Sequence, residues 1–235
     1  MRSTNEILND FRNTSSGTLI MTGKLYREKY SKKMSEAAFM QSVSRLCRSG
    51  KIDRVSKGVY CKATKTRFGS VLPSENEIAK SFTEGNKGVI VGYGLYNLFG
   101  LTTQVSKKMT VYSSAIDEQL KQIGSLTIRK YDIDYNPSVK NIIWMMELIH
   151  HYKEIQDINY IAFLRFIEQS VKEYYEKDFE TIQNVIKYPK WTIAFLREIL
   201  NYNNVDNTLD RYLSALTNYN IPKMEELYEL ARAQA

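Results

Sequence analysis

The sequence predicts an α+β fold in three parts: a basic helix-and-hairpin module at the N-terminus, a small mixed α/β middle segment and an all-helical C-terminal region. Three observations carry this expectation. Residues 35–62 set a helical periodicity directly before two short extended pieces. Residues 88–133 hold β-branched runs separated by turn residues. From Pro137 onward the pattern is helical throughout. The expected divisions are 1–68, 73–135 and 136–235, with the last two able to pack as one domain. A hydrophobic content of 43% with 12% aromatics supplies a core and excludes a disordered chain.

Taking the elements in order, Ser3-x-x-Glu6 is a capping box that opens a helix through about Phe11, with Ile7, Leu8 and Phe11 as its apolar stripe. Asn13–Gly17 is a turn cluster and Thr18–Met21 a short extended piece. Thr22 caps a second helix, Gly23–Tyr30, and Ser31–Met34 makes the turn. Ser35 is the N-cap of a third helix, in which Phe39, Val43, Leu46 and Cys47 recur at i, i+4, i+7 and i+8 and define a buried face. Gly50 stops this helix. Lys51–Ser56 and Gly58–Lys62 read as strands joined at Lys57–Gly58. Such a helix followed at once by a basic hairpin is the pattern of a winged helix-turn-helix.

Thr64–Leu72 reads as a boundary. Beyond Pro73, Ser74-x-x-Glu77 is a second capping box, opening a helix through about Glu84. Gly88–Gly92 contains a strand, followed by a turn and a short helix in which Leu95, Leu98 and Phe99 are apolar. Met109–Ser114 and Leu126–Ile133 are two further strands, with Gly124–Ser125 as the turn before the second. Helices are expected at about 138–154, 158–176, 178–188, 190–202, 205–218 and 222–233, with Pro189 and Pro222 in first turns, where a missing N–H is tolerated.

Charge points to a partner. Residues 1–73 hold 15 Lys and Arg against 5 Asp and Glu, while the other 162 residues hold 18 against 21, within a whole-chain net charge of +7. A basic module on a nearly neutral body suits phosphate binding, because each neutralised phosphate releases counterions. Gln41, Ser44, Arg45 and Arg48 point away from the buried face of the third helix. Arginine reads guanine edges bidentately and glutamine reads adenine, so these four are candidate base contacts in the major groove. Arg54 and Lys57 in the hairpin, with Lys24, Lys32 and Lys33 near the turn, are candidate phosphate contacts, which position a protein without reading sequence.

Other chemistries find little support. Gly92-x-Gly94 lacks the third glycine of a dinucleotide fingerprint and is better read as a tight turn. His150 and His151 are adjacent on a helix and face different directions. Asp132, Asp134, Glu147, Glu154 and Asp157 show no spacing of an acid–base or two-metal pair. Cys47 and Cys61 cannot make a four-ligand zinc site and are expected as reduced, structural thiols. No catalytic residue, metal site or cofactor is therefore expected. The N-terminal residues hold no apolar run of signal-peptide length, and Ile142–Ile149 is interrupted by Glu147 and too short to span a bilayer. The expectation is a cytoplasmic protein with no membrane partner.

Three stretches together carry a resemblance, the third of them weakly. SVSRLCRSGKIDRVSKGVYCK resembles a winged-helix signature, and GYGLYNLFGLTTQVSKKMTVYSS resembles a segment of the AbiEi-type antitoxins of type IV toxin–antitoxin and abortive-infection phage-defence systems. YPKWTIAFLREIL is weakly similar to the C-terminal helical part of that family. The chain departs from the pattern at Tyr96, where the family usually has a small residue. The resemblance implies a transcriptional repressor that binds double-stranded DNA of its own promoter. It also implies antagonism of a nucleotidyltransferase-like toxin that needs no stable complex with it. By motif position Gln41, Ser44, Arg45, Arg48, Arg54 and Lys57 carry over as DNA-binding candidates. Gly92, Leu101, Thr102, Thr103 and Gln104 carry over as signature residues whose role is equally well structural. A monomer on two half-sites and a symmetric dimer are both compatible with the sequence. The competing reading is a winged-helix regulator whose middle domain senses a small molecule around Gly92–Gln104.

Overall fold

The computed structural model describes residues 2–104 and 107–235. The protein is mixed α/β, with small sheets among many helices, and divides into two compact units, Met1–Ser81 and Phe82–Ala235. Among the described residues no helix is long and apolar enough to cross a membrane.

The first unit runs α1 (Arg2–Arg12), β1 (Leu19–Met21), α2 (Thr22–Leu25), a π-helical turn (Tyr26–Tyr30), α3 (Glu36–Arg48), β2 (Asp53–Ser56), β3 (Val59–Cys61), β4 (Thr64–Thr66), β5 (Gly69–Val71) and most of α4 (Glu75–Thr83). The side chain of Ser3, expected to cap α1, lies outside the described residues. Ile7, Leu8 and Phe11 of α1 are buried with Phe39, Val43 and Leu46 of α3 and with Ile52 and Tyr60, and these form the unit's core. The apolar periodicity of both helices has the burial of this core as its physical cause.

Ser35 starts α3 as expected: its backbone is extended and its side chain accepts a hydrogen bond from the Ala38 N–H at 3.3 Å. Gly50 ends it, at φ +67°, and Lys51 N–H returns to the Leu46 carbonyl at 3.0 Å. Ser35→Ala should destabilise the unit by about 1 kcal/mol in urea titration, the usual loss of an N-cap acceptor. An unchanged midpoint would show that the cap is satisfied another way.

The helix expected over Gly23–Tyr30 is instead one α-turn followed by a π-turn, closed by Ser31 N–H bonding Tyr26 O at 2.8 Å. The wider turn sets both tyrosine rings against Phe39, with centroids at 5.5 Å for Tyr26 and 5.2 Å for Tyr30. The Tyr30 hydroxyl donates to Asp10 at 2.6 Å. Thr22 does not cap α2. Its N–H and hydroxyl both donate to the Gly58 carbonyl, at 2.9 and 3.1 Å, and tie the tip of the β2–β3 hairpin to the start of α2.

That hairpin has its turn at Lys57–Gly58, where Gly58 adopts φ +73°. Both strands are shorter than expected, and a bulge between Arg54 and Ser56 shifts the register. β1 pairs antiparallel with the other side of β3, giving the order β1-β3-β2. The stretch Thr64–Leu72, read from sequence as a boundary, folds into the β4–β5 hairpin, whose strand residues are all exposed. At α4 the expected capping box is present, with Glu77 accepting from the Ser74 N–H and hydroxyl, each at 2.7 Å. Those bonds hold the Glu77 carboxyl below its ordinary pKa.

The second unit carries a four-stranded sheet of order β6-β7-β9-β8, built from β6 (Gly88–Val91), β7 (Met109–Ser113), β8 (Leu120–Ile123) and β9 (Leu126–Lys130). β7 and β9 are parallel and the outer pairs antiparallel. Edge strand β8 was not expected from the sequence, and β9 ends at Lys130 rather than Ile133. α5 (Tyr93–Leu98) follows β6, and five helices complete the unit: α6 (Pro137–His151), α7 (Tyr160–Ser170), α8 (Glu176–Ile186), α9 (Lys190–Tyr202) and α10 (Met224–Ala233).

α6 opens on Asn136, whose side chain accepts from the Val139 N–H at 2.9 Å. It is buried nearly all round, as a helix packed by α7, α8, α9 and β6 must be. The helix expected over 205–218 is replaced by loop and one short 3₁₀ turn, Leu209–Tyr212. Pro189 stands at the N-cap of α9 and Pro222 just before the N-cap Lys223 of α10, each earlier than the first-turn positions expected.

Candidate nucleic-acid interface

α3 separates its residues by side. Phe39, Ser42, Val43 and Leu46 are buried. At about 100° per residue, Gln41, Ser44 and Arg48 fall on the opposite side of the helix, with Arg45 on its flank. Gln41, Arg45 and Arg48 are exposed and Ser44 is half-buried. The candidate base contacts thus share one outward stripe. Ala37 and Ala38, which the sequence reading passed over, are exposed at the start of the same helix. Side chains that stop at Cβ leave that end slim, which lets a backbone approach closely. An alanine pair just after the N-cap, on the polar side, was the signal available for them.

These side chains are also uncommitted. Among the described residues, Gln41, Arg45, Arg48, Lys32 and Lys57 make no intramolecular side-chain hydrogen bond or ion pair. Lys24 lies 3.9 Å from Glu28, and Lys33 lies 3.3 Å from Glu6 with its ammonium 5.5 Å from the Tyr30 ring centroid. Exposed pairs of this kind contribute about 0–1 kcal/mol, so exchange for a phosphate is inexpensive. Arg54 donates from Nε to the Ser56 carbonyl at 3.4 Å, across the bulge of β2.

Two further basic features were not read from the sequence as part of the interface. Arg12, Lys51, Lys62 and Lys65 line a concavity of 480 Å³. At the tip of the β4–β5 hairpin, the Arg67 guanidinium stacks 4.6 Å over the Phe68 ring, which is 86% exposed. Met1–Ser81 as a whole holds 16 basic against 7 acidic residues, and Phe82–Ala235 holds 17 against 19. The sign asymmetry seen in the sequence therefore follows the division of the chain into units.

Both cysteines are free. Cys47 is half-buried at the margin of the core, and burial pushes the Cys61 thiol up to about 11, which leaves it almost entirely protonated at neutral pH. Among the described residues no cluster of three or more His, Cys, Asp or Glu is placed to hold a metal ion.

Of the signature residues of the middle segment, Leu101, Thr102 and Gln104 are tied to the connection between α6 and α7. Leu101 is fully buried, and its carbonyl accepts from the Asn159 N–H at 2.8 Å. The Thr102 hydroxyl donates to the Gln156 carbonyl at 2.7 Å and accepts from the Gln104 N–H at 3.1 Å. The Gln104 side chain reaches Asp157 at 3.0 Å, whereas Thr103 is exposed. These contacts join the loop after α5 to the connection between α6 and α7. Val105 and Ser106 of the same stretch lie outside the described residues. Gly92 adopts φ +65°, ψ −145°, a region open only to glycine, and a Cβ on Gly94 would lie 2.8 Å from Ile90 Cγ2. The two glycines thus serve the tight passage from β6 into α5. Gly92 and Tyr96 also line a cavity around Glu147, to which Leu101–Gln104 contribute nothing.

Residues 6–174 match the model of a family of unknown function, DUF6088, and the chain belongs to that family. No curated protein matches the chain.

Proposed function

We propose that this member of the DUF6088 family is a transcriptional regulator that reads double-stranded DNA through a winged helix-turn-helix. In this reading α3 enters the major groove, and the β2–β3 hairpin is the wing that lies along the flanking backbone. The observation that carries it is the outward stripe of α3, where Gln41, Ser44 and Arg48, flanked by Arg45, stand opposite the core. Arg54 and Lys57 on the wing, and Lys24, Lys32 and Lys33 near the turn before α3, then contact phosphates. The basic concavity and the Arg67–Phe68 hairpin extend the same positively charged unit.

The resemblance to AbiEi-type antitoxins gives this regulator its place: it represses its own promoter and counteracts a nucleotidyltransferase-like toxin without forming a stable complex with it. Co-expression tests that second role. Induction of a nucleotidyltransferase-like protein encoded beside this gene should arrest growth, and this chain should restore it. Arrest that persists at equal expression would remove the antitoxin role and leave the DNA-reading role standing. A second reading, in which the regulator senses a small molecule, is favoured by one feature, the cavity around Glu147.

A further inference from the structure

A cavity of 570 Å³ lies within the second unit, among the β6–α5 turn, β7, β9, the last turns of α6 and the connection between α8 and α9. That volume suits a small metabolite. Glu147, 4% exposed, lines it, and is the one charged side chain buried among the described residues. It stands alone in the most apolar part of α6, where an unpaired carboxylate is costly.

Two tyrosine hydroxyls and an imidazole are the polar side chains nearest Glu147. The Tyr112 and Tyr188 hydroxyls both donate to its Oε1, at 3.0 and 2.6 Å. Each phenol has a single proton, so with these committed both phenolic oxygens can only accept. The nearest basic group, His151 Nε2, lies 3.9 Å from Oε2, too far for a hydrogen bond, and its Nδ1 is engaged by Glu154 at 2.9 Å. Burial pushes the Glu147 carboxyl above its ordinary pKa, outweighing the two tyrosine hydrogen bonds and the charges of His151 and Arg129, which lower it. Tyr93 and Tyr96 add ring surface, with centroids 5.4 Å apart.

Two cations, Arg129 and Lys187, complete the lining; both are exposed, and neither forms an ion pair among the described residues. One non-glycine residue of the same lining departs from ordinary backbone geometry: Lys187, which ends α8 in the left-handed region at φ +59°, ψ +60°. Such conformations persist where the surroundings over-determine them, and ligand clamps are one such setting.

We propose that this cavity binds a small zwitterionic amine of the amino-acid type. Its ammonium group donates three hydrogen bonds, to Glu147 and to the hydroxyl oxygens of Tyr112 and Tyr188, beside the Tyr93 and Tyr96 rings. Its anionic group is held by Arg129 and Lys187. An ammonium group is donor-only and prefers aromatic faces, which matches Glu147 and two phenolic oxygens whose protons are already committed, with tyrosine walls. The proposal deepens the ligand-sensing reading and is independent of DNA binding, because its test contains no DNA.

The test is calorimetric titration of the full chain with four probes: L-leucine, 4-aminobutyrate, butylamine and butyrate. Binding of a zwitterion, weaker binding of butylamine and none of butyrate is the expected order. Preference between the two zwitterions separates an α-amino from an ω-amino ligand. Glu147→Gln keeps an oxygen for both tyrosine hydroxyls, directs an N–H at the ammonium and removes the buried charge. It should lower zwitterion affinity at least about tenfold while the melting temperature does not fall. Arg129→Ala, on the exposed rim, should weaken the zwitterions and leave butylamine unchanged. Binding of butyrate as tight as that of the zwitterions, unaltered affinity in Glu147→Gln, or no binding by any probe at about 50 mM would overturn the proposal.

Discussion

Arg45→Ala should weaken binding to the DNA upstream of the protein's own gene by about 1–3 kcal/mol and relax preference at one base pair, while Lys57→Ala should weaken binding to all sequences alike. The difference follows from what each side chain can reach. Arg45 stands on the flank of the α3 stripe, without a side-chain partner among the described residues. With α3 in the major groove, as proposed, its guanidinium can meet a base edge bidentately. Lys57 sits at the hairpin turn, whose Gly58 carbonyl accepts from Thr22. On the proposed docking this wing would lie along the flanking backbone, where a lysine meets phosphates. A phosphate contact carries no sequence information, and its loss should reduce the salt slope by about one. Competition titrations with cognate and scrambled DNA measure both effects. Identical behaviour of the two variants on the two DNAs would mean that α3 is not the reading element.

Phe39→Ala should have the largest effect on stability. The ring is fully buried in the core of the first unit, with Tyr26 and Tyr30 against it. Truncating such a ring removes its burial and leaves a cavity, a loss of about 3–5 kcal/mol. Against a typical domain stability of about 5–15 kcal/mol, that loss brings the unit close to unfolding. Urea titration should show the first unit's transition moved to markedly lower denaturant, and DNA binding should fall without a change in base preference. A midpoint within about 1 kcal/mol of the parent would mean that the tyrosines and α1 do not depend on Phe39.

The contrast between α3 and the segments around it shows what can be read from sequence. α3 was legible because its periodicity, its Ser35 cap and its Gly50 stop all agree, and local preference and burial point the same way. The π-turn at Tyr26–Tyr30 was not, because its register is chosen by the fit of two tyrosines on Phe39, a tertiary contact. β4 and β5 bury no face, so no alternation marks them, and β8 is a short edge strand whose Leu120 is largely exposed. Over 205–218 the periodicity suggested a helix. There the Asn203 and Asn207 side chains bond to the Ile199 and Val205 carbonyls, and Asn204 takes φ +56°, competing locally with helical geometry.

The candidate sites divide in the same way. The outward-facing candidates on α3 could be placed from spacing alone, because a helix fixes the direction of each side chain. The surroundings of Glu147 could not, since they are assembled from β7, α6 and the residues between α8 and α9. One signal was present all the same: a single carboxylate inside the apolar run Ile142–Ile149.

The most direct measurement is a fluorescence-anisotropy titration of the full chain against the region upstream of its own gene, beside scrambled DNA, at two salt concentrations. Tighter binding to the upstream region at both salts, with affinity for each DNA falling as salt rises, is the predicted result. Equal affinity for the two DNAs would contradict the account and reduce the basic unit to an electrostatic patch.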